Sequence, residues 1–296
     1  MAKPSRQRPE DRHPIEPLTL LAGRRRITLT TQAGGFHNEP YEQSLISKSG
    51  VTMQVFGHRG AAGEAPENTL AGLHHAIERG LHYAEIDLRL SADQKIIVCH
   101  DANTLRTCGV KRAISRSQAS ELAKLDCRAN APEWPNKTGC GIPQLRTLMR
   151  QCASLKGYQL EVKTDSQPHS QRMAEQLKRL FPRSSDCQKI IVTSFDEYFL
   201  QQLQQRAPHI PRGLVSMQRQ SLTRASALDC RYFCIHDHIV TPALIKKIHA
   251  KGLHCSVWTV NQPSRIKELF QWQVDSLVTD YPSMALPLVK RLTHAR

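Results

Sequence analysis

Eight short, β-branched apolar runs alternate with amphipathic stretches along this 296-residue chain, and that alternation limits the possible folds more than any other feature. The runs are QVFGH (54–58), YAEIDLRL (83–90), QLEVK (159–163), KIIVTS (189–194), RGLVS (212–216), YFCIH (232–236), HCSVWTV (254–260) and DSLVT (275–279). Apolar runs of this length between turn residues read as strands covered on both faces. PENTLAGLHHAIERG places Leu70, Leu73 and Ile77 on one helical face and stops at Gly80. TPALIKKIHAKG opens with a threonine cap and a first-turn proline and stops at Gly252. Strand–helix alternation implies parallel pairing, and eight such units close into a (β/α)8 TIM barrel of about 230 residues. An open doubly wound sheet has the same alternation. No G-x-G-x-x-G follows the first strand, which counts against the dinucleotide-binding form of that fold.

One interval breaks the rhythm. After YAEIDLRL the turn SADQ leads straight into KIIVCHD, too short a link for a parallel crossover. An antiparallel hairpin is therefore expected on the second strand. With its turn centred between Ala92 and Asp93, His100 lies opposite Glu85 and on the face of Asp87. Residues 102–142 then form a small insertion, with one helix near Arg116–Leu125, over one end of the barrel. Residues 1–52 show scattered Pro and Gly and no sustained period, so they read as a disordered or over-called N-terminal extension to a barrel domain at 53–296.

Composition narrows the function classes. No apolar run approaches the roughly 18–20 residues that cross a bilayer. The start, MAKPSRQRPEDRHPIEP, is polar and broken by prolines. A cytoplasmic protein without stable membrane insertion is expected. The nine cysteines have irregular spacing and no C-x-x-C pair, which suits reduced, buried thiols rather than a disulfide or zinc framework. The formal charge of +15 invites a nucleic-acid partner, but the basic residues are spread out and Arg24 to Arg26 is the one tight cluster. Without a helix-turn-helix, zinc finger or RNP signature, no nucleic-acid partner is expected; an evenly basic surface also attracts small anionic phosphodiesters or an acidic membrane surface.

The charged residues at strand ends carry the chemistry. They are His58 and Arg59, Glu85 and Asp87, Glu161 and Lys163, with His100 and Asp101 from the hairpin. In β/α barrels such positions lie at the C-terminal mouth, where catalytic groups gather. Glu85 and Asp87 are two apart on a strand and share a face, and Glu161 and Lys163 repeat the pattern. Three converging carboxylates repel one another unless a cation lies between them, and an all-oxygen set suits Mg2+ or Ca2+. The alternative is a buried salt-bridge cluster with Arg59 and Lys163, a costly arrangement that contributes little stability. His58 and His100 beside that centre suit acid/base work on a phosphodiester.

HRG (58–60), PENT (66–69), E-x-D (85–87), HD (100–101), LEVK (160–163), VWTVN (257–261) and VDSLVTDYP (274–282) together resemble the glycerophosphodiester phosphodiesterase family. The resemblance covers roughly 54 to 287, in order, insertion included. It implies a β/α barrel, a divalent cation, and release of glycerol 3-phosphate and an alcohol from a small glycerophosphodiester. By motif, His58 and His100 become the acid/base pair and Glu85, Asp87 and Glu161 the metal ligands. Arg59 and Lys163 become phosphate binders. Trp258 lines the substrate end or serves as a core aromatic, and Glu67 and Asn68 organise the loop and helix start. Two positions depart from the family pattern: Gln94 ends the hairpin turn where glycine is usual, and Cys108 stands where threonine is common. A lysophospholipase D-like barrel would need an exposed apolar rim, for which the loops offer little beyond Trp134 and Trp272. A non-enzymatic anion binder would not need the complete ligand set.

Overall fold

The computed structural model describes residues 53–135 and 137–295, so the expectation for residues 1–52 lies outside them. Among the described residues nine strands form one sheet: β1 (Gln54–Gly57), β2 (Tyr83–Leu90), β3 (Ile96–Val98), β4 (Gly157–Val162), β5 (Ile190–Ser194), β6 (Arg212–Ser216), β7 (Tyr232–His236), β8 (His254–Trp258) and β9 (Ser276–Thr279). Eight of them, all but β3, pair in parallel in the order β1-β9-β8-β7-β6-β5-β4-β2, and β1 also pairs with β2. That last pairing closes the sheet and rules out the open doubly wound alternative.

Alternation along the strands sorts side chains into two environments. In β2, Ala84, Ile86 and Leu88 are fully buried in the main core beneath the helices, while Glu85 and Asp87 take the opposite, inner face. In β4, Leu160 and Val162 join that core and leave Gln159 and Glu161 inside the barrel. Each fully covered Leu or Ile contributes about 1.5–3 kcal/mol, so the outer layer sets the register that fixes the inner residues. The expected helices are present. The first, Leu70–Glu78, is capped by Thr69, whose hydroxyl accepts from Gly72 N at 3.0 Å. Pro242–His249 starts from the Thr241 cap and is followed by Gly252 at φ +70°.

The hairpin departs from the expected register. Leu88 faces Val98, Arg89 faces Ile97 and Leu90 faces Ile96, one residue out from the pairing that would set His100 against Glu85. The turn holds three residues, not two, with Gln94 in the left-handed region at φ +57°. The strand itself ends at Val98, one more bond joins the Cys99 amide to Asp87 O at 2.9 Å, and His100 lies in the bend beyond it. The insertion also differs from expectation. It carries short helices at Leu105–Cys108 and Ala119–Leu122 and a 3-10 turn at Ile114–Arg116, around a small core of Ile97, Cys99, Ile114, Leu122, Cys127 and Ile142.

Candidate active site

The barrel register assembles an acidic centre. Asp87 and Glu161 are direct partners across β2 and β4, and Glu85 lies two residues before Asp87 on the same face. Glu85, Asp87 and Glu161 each present a carboxylate oxygen, all within 4.8 Å of one another. Burial, reinforced by the charge of Asp87, pushes the Glu85 carboxyl up to about 8. Burial likewise raises Glu161, with Asp87 adding to the shift. Burial also acts on Asp87, but Lys163, Arg59 and His100 outweigh it and hold that carboxylate well below its usual range. Glu85 Oε1 is buried with no hydrogen-bond partner. An orphaned buried carboxylate oxygen beside two further carboxylates fits a hard divalent cation.

Two cations flank the centre. Arg59 adopts φ +52°, which turns its backbone amide onto Glu85 Oε2 at 3.0 Å while its guanidinium reaches Asp87 at 3.2 Å and Glu67 at 2.9 Å. Lys163 bridges Glu161 and Asp87, the latter at 3.2 Å. Asn68, at φ +56°, clips Asp87 twice, donating to Oδ2 at 2.8 Å and accepting from the Asp87 amide at 3.2 Å. Its role is to orient a carboxylate of the centre; the helix start belongs to Thr69.

Both histidines are anchored through Nδ1. His58 Nδ1 meets Asp280 Oδ1 at 2.6 Å, and its Nε2 lies 3.9 Å from Glu85 Oε2. Barrel closure creates this contact: the His58 amide donates to Thr279 O at 2.8 Å, which brings Asp280 alongside. Asp280 is held in turn by Asn261, whose Nδ2 donates to Oδ2 at 2.6 Å. His100 Nδ1 meets Asp101 Oδ1 at 2.6 Å, and Arg106 Nε donates to Asp101 Oδ2 at 2.7 Å. Their surroundings shift the two rings in opposite directions. Burial lowers His58, but the Asp280 hydrogen bond and the Glu85 charge leave it raised overall. Burial prevails at His100 despite the pull of Asp87, and Arg59 adds to the lowering.

Glu67 ties the mouth together. It accepts from Arg59 at 2.9 Å, from Arg106 at 2.6 and 2.7 Å, and from Asn130 at 3.2 Å. Trp258 is fixed by donating Nε1 to Cys234 O at 3.1 Å and packs edge-on to Phe195 and His236. Phe195, 45% exposed, also lies under Lys163 Nζ at 5.7 Å, so an aromatic wall adjoins the cationic side. The structure thus gathers His58, Arg59, Glu85, Asp87, His100, Glu161 and Lys163 at one mouth, with Trp258 at its aromatic edge. Sequence reasoning missed the positioning partners Asp280, Asn261 and Arg106. Asp280 stands within the quoted VDSLVTDYP segment, but nothing local ties it to His58.

A (β/α)8 barrel with an acidic centre and two aspartate-anchored histidines at its mouth belongs to a class of scaffold suited to hydrolytic acid/base chemistry. Residues 58–284 match the model of the glycerophosphoryl diester phosphodiesterase family, and the chain belongs to that family. It is a phosphoric diester hydrolase, a glycerophosphodiester phosphodiesterase. It is 29% identical over 241 residues to the Bacillus subtilis protein YhdW, covering 79% of this chain and 97% of that one. It is 25% identical over 241 residues to a glycerophosphodiester phosphodiesterase of Caldanaerobacter subterraneus, covering 80% of this chain and 98% of that one. Among solved structures, an Oleispira antarctica phosphodiesterase in complex with the product sn-glycerol-3-phosphate superposes with a TM-score of 0.71 at 26% identity, covering 80% of this chain and 96% of that one. Among the described residues no helix is long and apolar enough to cross a membrane.

Proposed function

We propose that this site hydrolyses glycerophosphodiesters to glycerol 3-phosphate and an alcohol through His58 and His100, with Mg2+ or Ca2+ held by Glu85, Asp87 and Glu161. The observation that carries the reading is the pair of histidines, each with Nδ1 held by an aspartate at 2.6 Å, beside a three-carboxylate centre. An ionised aspartate accepts only, so each neutral ring bears its proton on Nδ1 and presents an Nε2 lone pair to the mouth. One ring takes a proton from the nucleophile and the other, protonated, gives one to the leaving alkoxide. The cation, when bound, would neutralise the phosphodiester and the charge developing on its oxygens. Arg59 and Lys163 hold the phosphate oxygens, and their ion pairs with Asp87, Glu67 and Glu161 fix where their donors point. Trp258 and Phe195 line the substrate end. A cytoplasmic location fits nine cysteines that are all free thiols.

The test is turnover of glycerophosphocholine, glycerophosphoethanolamine and lysophosphatidylcholine with and without EDTA. Activity should vanish in EDTA and return with Mg2+ or Ca2+. His58→Ala and His100→Ala should stay folded yet lose about 10²–10⁴-fold in rate, and the double variant should lose little more than either single one. Full activity in excess chelator, or a folded single variant at the parent rate, refutes the mechanism. Preferential cleavage of lysophosphatidylcholine would favour a lysophospholipase D reading instead.

A further inference from the structure

Two cysteines form a pair that the reaction above does not use. Cys108 ends the short helix Leu105–Cys108 and is half-buried, whereas Cys127 is 2% exposed in the small core of the insertion. The segments carrying them run side by side. The amide of Ala129 donates to Thr107 O at 2.9 Å, and a Cβ on Gly109 would stand 3.8 Å from that of Ala129. Cys108 packs against that same small core, close enough to Cys127 for the two thiols to interact. Neighbouring cysteines are engaged elsewhere: Cys99 Sγ contacts Asp101 O at 3.5 Å and Cys140 Sγ contacts Thr138 O at 3.7 Å.

The pair is asymmetric. Cys108 is half-buried and Cys127 almost fully buried; interaction with Cys127, with the Thr107 hydroxyl 3.5 Å away, holds Cys108 below the usual thiol range, while the same interaction and burial push Cys127 up. A half-exposed thiol that ionises easily, beside a buried one that stays protonated, matches an attacking and a resolving cysteine. Their setting links them to the active site. Arg106, two residues before Cys108, holds Asp101 and Glu67, and Asn130, three residues after Cys127, also holds Glu67.

We propose that Cys108 and Cys127 are a peroxide-sensitive thiol pair whose disulfide releases the Arg106 clamp behind His100. The Cys108 thiolate attacks one oxygen of hydrogen peroxide, breaking the O–O bond to give a sulfenic acid and, with one proton, water. The Cys127 sulfur then displaces the hydroxyl from the Cys108 sulfur, and the Cys127 proton leaves with it as a second water. The two thiols lose two electrons and two protons, and the peroxide is reduced to two waters. A disulfide needs about 2 Å between sulfurs, closer than two non-bonded thiols can lie, so its formation draws the Cys108 end of the helix toward Cys127. That shift moves Arg106, whose contacts with Asp101 and Glu67 span 2.6–2.7 Å and weaken as they lengthen. The effect on turnover rests on His100 acting as proposed above; formation of the disulfide does not.

The full chain is treated with stoichiometric hydrogen peroxide, mapped by non-reducing peptide mass spectrometry, and assayed on glycerophosphocholine before and after dithiothreitol. A Cys108–Cys127 cross-linked peptide, lighter by two hydrogens, is expected. Turnover should fall on the order of tenfold, as a misplaced catalytic group would produce, and recover on reduction. C108S, and C127A with its apolar replacement in the buried position, should give no cross-link and resist peroxide. Sulfinic acid at Cys108 without a cross-link, or a bond to Cys99 or Cys140, overturns the pair. A mapped disulfide with unchanged turnover overturns the link to Arg106. Absence of glycerophosphodiesterase activity before oxidation counts against the catalytic reading alone, since the peptide map decides the pair without it.

Discussion

Replacing Asp280 by asparagine probes how His58 is held, because the surroundings dictate which way the new amide must face. The carboxylate accepts His58 Nδ1 on one oxygen at 2.6 Å and Asn261 Nδ2 on the other at 2.6 Å. Asn261 offers only its NH2 group there, since its own carbonyl already accepts the Asp280 amide at 2.9 Å and the Thr279 hydroxyl at 3.1 Å. The introduced carbonyl therefore turns to Asn261 and the introduced NH2 group to His58. The ring must then accept at Nδ1 and carry its proton on Nε2, the wrong tautomer for the proton exchange through Nε2 proposed for His58. Loss of one general acid or base costs about 10²–10⁴ in rate, or about 3–5 kcal/mol of barrier. Steady-state turnover of glycerophosphocholine at saturating metal reads the effect, and a melting curve confirms the fold. The exchange Asp280→Asn with Asn261→Asp restores an acceptor opposite the introduced NH2, turns the carbonyl back toward His58, and should recover about tenfold or more of the loss. A folded Asp280→Asn protein at the parent rate, or an exchanged pair no faster than the single variant, would refute this account of His58.

Gln94→Gly removes a left-handed non-glycine residue at φ +57° and should stabilise the fold by about 0.5–1 kcal/mol in urea unfolding, after the added flexibility of the unfolded chain is subtracted; a loss of stability would contradict the turn geometry. His254 is buried against Ser276 and Tyr232, and burial lowers its pKa from 6.5 to about 4. The unfolded chain therefore takes up a proton below pH 6.5 that the folded one refuses until about 4, so stability should fall through that window by about 3 kcal/mol. Urea titrations across that range should show the slope and His254→Gln should flatten it; identical slopes would exclude His254 as the cause. Gly72→Ala would place a Cβ 2.3 Å from Pro66 O, so the loop beneath Glu67 and Asn68 must shift, with a melting point and turnover both below the parent; an unchanged melting point would show that the loop yields freely.

The barrel was legible because each strand is a short apolar run and each link is long enough for a helix. The acidic centre was legible because Glu85, Asp87 and Glu161 are charges in strands that must otherwise be buried. The positioning partners follow a different logic. Asp280 meets His58 across 222 residues because the last strand closes on the first, a contact that exists only in the finished barrel. The hairpin register failed by one residue because a three-residue loop with Gln94 at positive φ replaced the two-residue turn, a choice that side chains other than glycine and asparagine signal poorly. His100 still reaches the mouth, since the chain leaves the ladder after Cys99 and Asp101 with Arg106 fixes the ring independently of strand pairing.

Glu67 bears on how this scaffold could be altered. Its carboxylate is the joint between a residue of the barrel loop, Arg59, and two residues of the insertion, Arg106 and Asn130. An insertion transplanted from another barrel to change the accepted alcohol group would arrive without those two donors. Glu67 and Arg59 would then lose their shared geometry, and His100 would lose its brace at the same moment. The insertion is thus not an interchangeable module. A graft that keeps only Arg106, Asn130 and their spacing to Asp101 should carry its function across, whereas one that preserves overall shape but not those three side chains should yield a folded, inactive barrel.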